Sequence, residues 1–317
     1  MNYYIGLDLG TTGMKAVITD DNGTVVSKAE TLCPMEADGE KREFDADEYV
    51  NCTAELIKKV SSPLGDDKKN IKAIAEAHAA GNTVFLDNNM KPMLKCISWT
   101  DERCVGKDDD ILNGFDFENV HDNVGWPYLG MFSLAHIAYV RKYNADIYKN
   151  AHKVCMITEY LNYCLCGELC LDPSTAVPFY LVDQKTGEYN KKYLEYLELT
   201  EEKLPRLIKT GDVIGTMCAE AAEKCGLFKG VKIVAGAFDH PCAARGAGVK
   251  DENTLLLSCG TSWTCEFLSK NRQAAVKEGL LTDAFDKENG LWLCISSIAK
   301  FVQMIDEAIE KYVDAGS

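Results

Sequence analysis

The chain has 317 residues, enough for two ordinary domains, and its 46% hydrophobic and 26% charged content belongs to a globular protein rather than a fibrous or disordered one. Against 34 basic residues stand 49 acidic ones, and a net charge of −15 repels phosphate backbones and anionic lipid, so nucleic acid is not an expected partner. No stretch approaches the roughly 20 apolar residues of a spanning helix, and the N-terminus enters a strand pattern with no leader-like basic and apolar regions, so no membrane association and a cytoplasmic location are expected. The 14 cysteines form no CxxC pair and match no zinc spacing, and they read as reduced, mostly buried thiols.

In chain order, Tyr3 to Leu9 is an apolar strand and Gly10-Thr11-Thr12-Gly13 a tight turn. Met14 to Asp20 is a second strand, Asp21-Asn22-Gly23 a hairpin signal, and Thr24 to Leu32 a third strand. Asp45 or Asp47 can cap a helix that buries Tyr49, Val50, Leu56, Ile57 and Val60. Strands follow near Ile71 to Ala77 and Thr83 to Leu86, with a turn at Asp87-Asn88-Asn89. The middle reads as mostly helical, with helices over Phe132 to Tyr143 and Val154 to Leu165, the latter stopped by Gly167. Lys185-Thr186-Gly187 is a surface turn, and a helix over Ala219 to Cys225 ends at Gly226. Val231 to Ala235 is a short buried strand, and Asp239 begins another helix. Thr254 to Leu257 and Ser262 to Leu268 form a hairpin around Cys259-Gly260-Thr261, followed by a strand at Leu291 to Ile295 and a helix over Ile298 to Tyr312.

The opening order of strand, turn, strand, turn, strand, helix thus starts again near residue 254, as if two copies of one α/β unit faced each other across a cleft. Only 67 residues follow Lys250, against the order of 100 to 150 in a usual α/β domain, so an incomplete second copy is expected.

Each copy carries a small, hydroxyl-rich turn after an apolar strand. In the first, Gly10 and Gly13 let backbone N–H groups approach phosphate oxygens, and Thr11 and Thr12 add hydroxyl donors. Asp8 can hold a hydrated Mg²⁺ ion, and Lys15 can neutralise charge on a transferred group. The second turn, Ser258-Cys259-Gly260-Thr261-Ser262, has the same character. A lone turn of this kind also suits an ordinary hairpin; two of them suit a nucleotide held across a cleft.

Asp8-Leu9-Gly10-Thr11-Thr12 resembles the opening motif of the FGGY carbohydrate kinases, within the actin-like ATPase group. Trp99-x-Asp101-x-Arg103 resembles the family's W-x-D-x-R element, which actin-like and chaperone ATPases would lack. Leu165-Cys166-Gly167-Glu168 with Asp172-x-Ser174 is similar to L-T-G-E…D-x-S, with cysteine at the usual threonine. Leu204-Pro205, Gly211 to Gly215, and Gly226-Leu227 to Gly236 (with Lys232 where proline is usual) resemble the stretches before the catalytic motif. Asp239 then stands at the catalytic aspartate, and Cys259-Gly260-Thr261-Ser262 resembles the second phosphate turn.

The resemblance covers nearly all of the chain. It implies a ribonuclease H-like N-terminal domain over 1–248, and an incomplete second copy of that fold over 249–317. It implies an ATP- and Mg²⁺-dependent kinase acting on a sugar or polyol, for example a ketose such as xylulose. Asp239 is then the general base that accepts the hydroxyl proton, although an isolated aspartate there would read as a helix cap. Trp99 and Tyr128 match positions that line the sugar pocket, where an aromatic face suits sugar C–H groups; core packing is the alternative for each. Asp101 and Arg103 suit an internal ion pair as well as a substrate contact.

Two departures bear on function. The expected sugar contacts fall on Ala80 and Gly81, which offer almost nothing to a polyol, so His78 or Asn82 would have to compensate. The adenosine-holding segment of the family has no counterpart, so a catalytically impaired fragment or pseudokinase that binds a sugar or a partner is the alternative reading. An incomplete sheet also leads us to expect association with another copy or with a complementing C-terminal chain.

Overall fold

Tyr3, Ile5, Leu7 and Leu9 are buried while Tyr4, Gly6 and Asp8 are exposed, so the first strand, Tyr3–Leu9, seats one face in the core and carries Asp8 on the other. The computed structural model describes residues 1–259 and 263–298. Tyr3–Leu9, Gly13–Asp20 and Val25–Leu32 form an antiparallel meander. Tyr3–Leu9 also pairs in parallel with Ile71–His78, which pairs in parallel with Lys232–Phe238, and Val213–Thr216 closes the far edge antiparallel. The result is one six-stranded sheet with three parallel strands at its centre.

The helix Ala46–Ser61 covers this sheet with the five apolar residues expected of it. Asp45 is its cap: Oδ1 accepts from the Glu48 N–H at 2.8 Å, while Asp47 lies in the first turn and accepts from the Tyr160 hydroxyl. Asp45→Ala should therefore lower stability by about 1 kcal/mol, read as a shift in the urea midpoint, with no change at the distant strand ends.

A second sheet was not expected from the sequence. It orders Glu36–Asp38, Lys41–Phe44, Cys96–Ile97, Thr83–Leu86 and Lys153–Met156 side by side. The expected helix over Val154 to Leu165 is accordingly a strand, Lys153–Met156, followed by a helix, Ile157–Cys166. Val154, Cys155 and Met156 lie against Thr83–Leu86, whose residues are all buried, and a run buried on both faces has no period to separate strand from helix. The Glu159 carboxylate accepts from the Met156 N–H at 2.7 Å and starts the helix there. Gly167 (φ 84) and Gly226 (φ 61) end their helices in the left-handed region, as expected.

Beyond Asp239–Gly246, the second meander pairs Leu255–Cys259 with Trp263–Ser269 and Trp263–Ser269 with Leu291–Ile298, all antiparallel. It repeats the first meander, with a helix at Arg272–Lys277 and a strand at Leu281–Asp286 inserted before its third strand. Leu291–Ile298 runs as strand to Ile298, where a helix was expected to begin; the rest of that expected helix, and Gly260, Thr261 and Ser262, lie outside the described residues. All 14 cysteines are free thiols, and among the described residues no His, Cys, Asp and Glu cluster could hold a metal ion. No helix among them is long and apolar enough to cross a membrane.

Candidate active site

Leu9, His78 and Phe238 stand in register at the carboxyl ends of the three parallel strands. In open α/β sheets the crevice outside such strand ends is where ligands bind. Each strand delivers one part of the site there: the Gly10–Gly13 turn, the Ala79–Asn82 segment, and Asp239.

Gly10 carries no side chain because a Cβ there would stand 2.9 Å from the Gly13 carbonyl oxygen. Asp8 lies opposite Lys15 across the hairpin, with Lys15 Nζ 4.0 Å from Asp8 Oδ2 and both side chains more than half exposed. An exposed pair at that distance contributes little to stability and leaves both charges open to a ligand. Thr12 closes the turn by accepting the Cys33 N–H at 3.2 Å. Thr11 Oγ1 accepts from Trp99 Nε1 at 2.7 Å, which ties the expected sugar pocket to the Gly10–Gly13 turn.

Trp99 is held from below. Asn82 Oδ1 accepts its backbone N–H at 3.0 Å, and Asn82 Nδ2 donates to the Ala79 carbonyl at 2.7 Å. Asn82 therefore spends its amide on positioning Trp99. Asp101 and Arg103 form an internal ion pair: Arg103 Nε and Nη2 each donate at 2.7 Å to the fully buried Asp101, and Nη2 also reaches Glu43 at 2.6 Å. Burial alone would raise the Asp101 carboxyl, but Arg103 and the Arg42 and Arg103 N–H groups hold it below the usual carboxylate range.

A row of rings leads from Trp99 to the third strand end. Trp99 stacks on Phe132 at 6.1 Å, Phe132 meets Trp126 at 5.4 Å, and Trp126 meets Phe238 at 5.4 Å. This row accounts for Gly81. A Cβ there would lie 2.4 Å from the Phe132 ring, and the backbone sits at φ 91, so aromatic surface fills the place where a polar side chain was expected. The Tyr128 hydroxyl donates to Asp108 at 2.5 Å and its ring meets Phe117 edge-on at 4.7 Å.

His78 does not open toward the crevice. It is 1% exposed, and its Nε2 pairs with Thr175 Oγ1 at 2.8 Å beneath the strand ends. Burial pushes its imidazole down to about 3, so the ring is neutral. The role expected for it as a sugar contact does not fit this placement, because the strand turns position 78 to the inner face. Thr175 in turn donates to Asp172, which also accepts the Ser174 N–H at 2.9 Å and the Thr210 hydroxyl at 3.1 Å.

Asp239 follows Lys232–Phe238, and Gly236 makes that approach feasible: a Cβ at 236 would lie 1.6 Å from the Glu76 carbonyl oxygen. Asp239 Oδ1 accepts the His240 N–H at 2.7 Å. Burial pushes its carboxyl up, His240 and that N–H pull it down, and the Asp8 and Glu266 charges push it further up. The Asp8 charge thus reaches Asp239 across the strand ends. Two partners were missed in the sequence reading: Glu266, which pairs with His240 at 2.6 Å, and Asp283, which accepts the Ser174 hydroxyl at 2.7 Å. No local pattern marks either, although Ser174 belongs to a motif already singled out.

Beneath the site lie two more buried carboxyls. Burial pushes Glu76 up to about 8 against a hydrogen bond from Asn162, and Glu159 up to about 8 against the Met156 N–H. Between the ordinary 4.5 and about 8 the folded chain thus holds protons that the unfolded chain has released. The stability they contribute is complete below that window and lost as pH rises through its upper end. The melting temperature should fall from mildly acidic to mildly alkaline pH, and Glu76→Gln should flatten that fall; an unchanged slope in this variant would remove Glu76 as its cause.

The fold and the strand-end site together define an α/β protein of the actin-like ATPase fold. The pattern of the FGGY family of carbohydrate kinases, N-terminal domain, matches residues 3–246, and the chain belongs to that family. It is 29% identical over 268 residues to a protein of Haemophilus influenzae described as probable L-xylulose kinase, covering 82% of this chain and 54% of that one. It is also 29% identical over 269 residues to the autoinducer-2 kinase of Yersinia enterocolitica, covering 83% and 50%. The chain thus spans about half the length of these curated relatives. Among solved structures, ligand-bound xylulose kinase of Lactobacillus acidophilus superposes with a TM-score of 0.87 at 22% identity, over 98% of this chain and 62% of that one. Plasmodium falciparum glycerol kinase with ADP gives 0.87 at 17%, over 98% and 64%, and at these identities the likeness is one of fold.

Proposed function

We propose that the protein transfers the γ-phosphoryl group of ATP to a hydroxyl of a sugar or polyol, a ketose such as xylulose being the first candidate, with Asp239 as general base. The observation that carries this is the meeting of an open glycine- and threonine-rich turn, an aromatic wall and the half-buried Asp239 carboxylate at the ends of three parallel strands, with Trp99 bonded to Thr11 at 2.7 Å. The names of the two relatives, a probable L-xylulose kinase and an autoinducer-2 kinase, support the same class.

In this reading the Gly10–Gly13 turn receives phosphate oxygens on its N–H groups and on the Thr11 and Thr12 hydroxyls, and the family resemblance gives Gly260, Thr261 and Ser262 the matching role. The exposed Asp8 carboxylate suits a hydrated Mg²⁺, which keeps most of its waters and asks for few protein oxygens. That ion supplies charge neutralisation on the phosphates when bound, and Lys15 supplies more of it. Trp99 offers its face to the C–H side of the acceptor, and the family resemblance assigns Tyr128 to the same pocket. Asp239 orients the attacking hydroxyl and takes its proton as the new P–O bond forms. Residues 1–248 then hold the acceptor and the first phosphate turn, and 249–317 begin the second domain.

The test is ADP release from Mg-ATP by the 317-residue chain with a panel of ketoses, polyols and sugar acids. Release that depends on one acceptor class identifies the substrate. A folded chain that neither releases ADP with any of them nor is stabilised by Mg-ATP against thermal unfolding would sink the proposal.

A further inference from the structure

Asp239 is held less by its own contacts than by those of its two neighbours, and both sets of contacts lead to the second meander. On one side, the Phe238 N–H donates to Ser174 Oγ at 3.2 Å, and Ser174 Oγ donates to Asp283 Oδ2 at 2.7 Å. A serine hydroxyl has one proton, so giving it to Asp283 turns the oxygen's lone pairs toward Phe238 and fixes the direction of that bond. On the other side, His240 Nδ1 donates to Glu266 Oε1 at 2.6 Å. Glu266 and Asp283 sit on Trp263–Ser269 and Leu281–Asp286, each 1% exposed.

We propose that Glu266 and Asp283 are positioning residues that clamp the Phe238–His240 turn from both sides and so set the orientation and charge of Asp239. The proposal rests on the reading of Asp239 as the base. Three observations favour it over plain packing. Each carboxylate leaves its other oxygen, Glu266 Oε2 and Asp283 Oδ1, buried and without a hydrogen-bond partner among the described residues, which costs stability that an apolar residue would not. Both reach one three-residue turn from different strands. Asp283 is itself fixed against the first domain, since its neighbour Thr282 donates its N–H to the Gly125 carbonyl at 2.8 Å and accepts from Gln184 Nε2 at 2.7 Å.

The chemistry of the two arms differs. His240 is partly exposed; its partial burial alone would lower its imidazole, but the hydrogen bond to Glu266 and then the Asp239 charge push it above the ordinary value, so the Glu266 arm favours the protonated ring beside the base. Asp283 faces Asp172, Arg245 and Glu266, and burial holds its carboxyl up at about 7. The Asp283 arm is therefore a strong acceptor for Ser174 only once it has lost its proton.

The test uses isosteric variants, Glu266→Gln and Asp283→Asn, in the full chain. The first readout is the NMR titration of His240, which needs no turnover. Its midpoint should lie above the ordinary 6.5, drop in Glu266→Gln and stay in place in Asp283→Asn. The second is amide exchange at Phe238, which should quicken in Asp283→Asn. The third is kinetic: both variants should lower kcat by about tenfold or more with KM for the acceptor little changed, since a small displacement of a reacting group is costly. An unmoved His240 midpoint in Glu266→Gln together with unchanged Phe238 exchange in Asp283→Asn would overturn the clamp. So would full kcat in both variants. If the NMR effects appear but Asp239→Asn retains turnover, the base assignment fails and the clamp on the turn stands.

Discussion

Gly236→Ala should prevent the first domain from folding to its native state, at a cost of more than about 4 kcal/mol. The cause is space rather than backbone angle. A Cβ would lie 1.6 Å from the Glu76 oxygen, 2.6 Å from its carbonyl carbon and 3.1 Å from its nitrogen, all main-chain atoms that cannot swing aside. Between the pairs Val234↔Ala75 and Ala237↔Ala77 the later strand has one residue more than its partner, a bulge with Gly236 at its closest approach. Relieving the clash means separating the two strands, and that pairing is what brings Asp239 to the same edge as the Gly10–Gly13 turn. Gly6 offers the contrast within the same sheet: its Cβ would meet nothing within 4 Å. Gly6→Ala should therefore change stability by no more than about 0.5 kcal/mol. Thermal melts of the two variants decide the matter, and a native melt for Gly236→Ala would refute the packing argument.

Where the chain states its structure locally, the sequence was legible. The alternation of Tyr3, Ile5, Leu7 and Leu9 marks a half-buried strand, and Asp45 ahead of an apolar 3.6-residue period marks a helix start. The Gly10–Gly13 turn was legible for the same reason, since its glycines and hydroxyls are consecutive. Position 78 was not, because whether a strand-end histidine faces a ligand or the interior depends on what packs beneath it, here Thr175 from 97 residues away. The strand Lys153–Met156 was hidden because both of its faces are buried. Glu266 and Asp283 were invisible because their partners, His240 and Ser174, lie 26 and 109 residues away, and only the folded chain brings them together. The bare Ala80-Gly81 pair was read as a departure from the family pattern; what occupies the space beside Gly81, the ring of Phe132, needed coordinates.

Asp239→Asn should lower kcat by about 10²–10⁴-fold, the usual range for a positioned general base, while leaving KM for the acceptor nearly unchanged. The amide keeps the shape of the carboxylate and an oxygen for the His240 N–H, so the local geometry survives, but it cannot take a proton. The pH dependence carries the same signature. Burial, together with Asp8 and Glu266, raises the Asp239 carboxyl above its ordinary 3.8 despite the pull of His240. The base works only when ionised, so wild-type kcat should fall as pH drops through that raised value, and the residual rate of Asp239→Asn should lack this acid limb. Stability should move in the opposite direction to activity. A carboxyl raised by folding costs stability above its ordinary value, because the unfolded chain gives up the proton more readily. The variant should therefore melt no lower than wild type at neutral pH, and higher where the charge is fully formed. A variant that loses both turnover and melting temperature would place Asp239 in the architecture, whereas loss of turnover with a steady or raised melting temperature would place it in the chemistry.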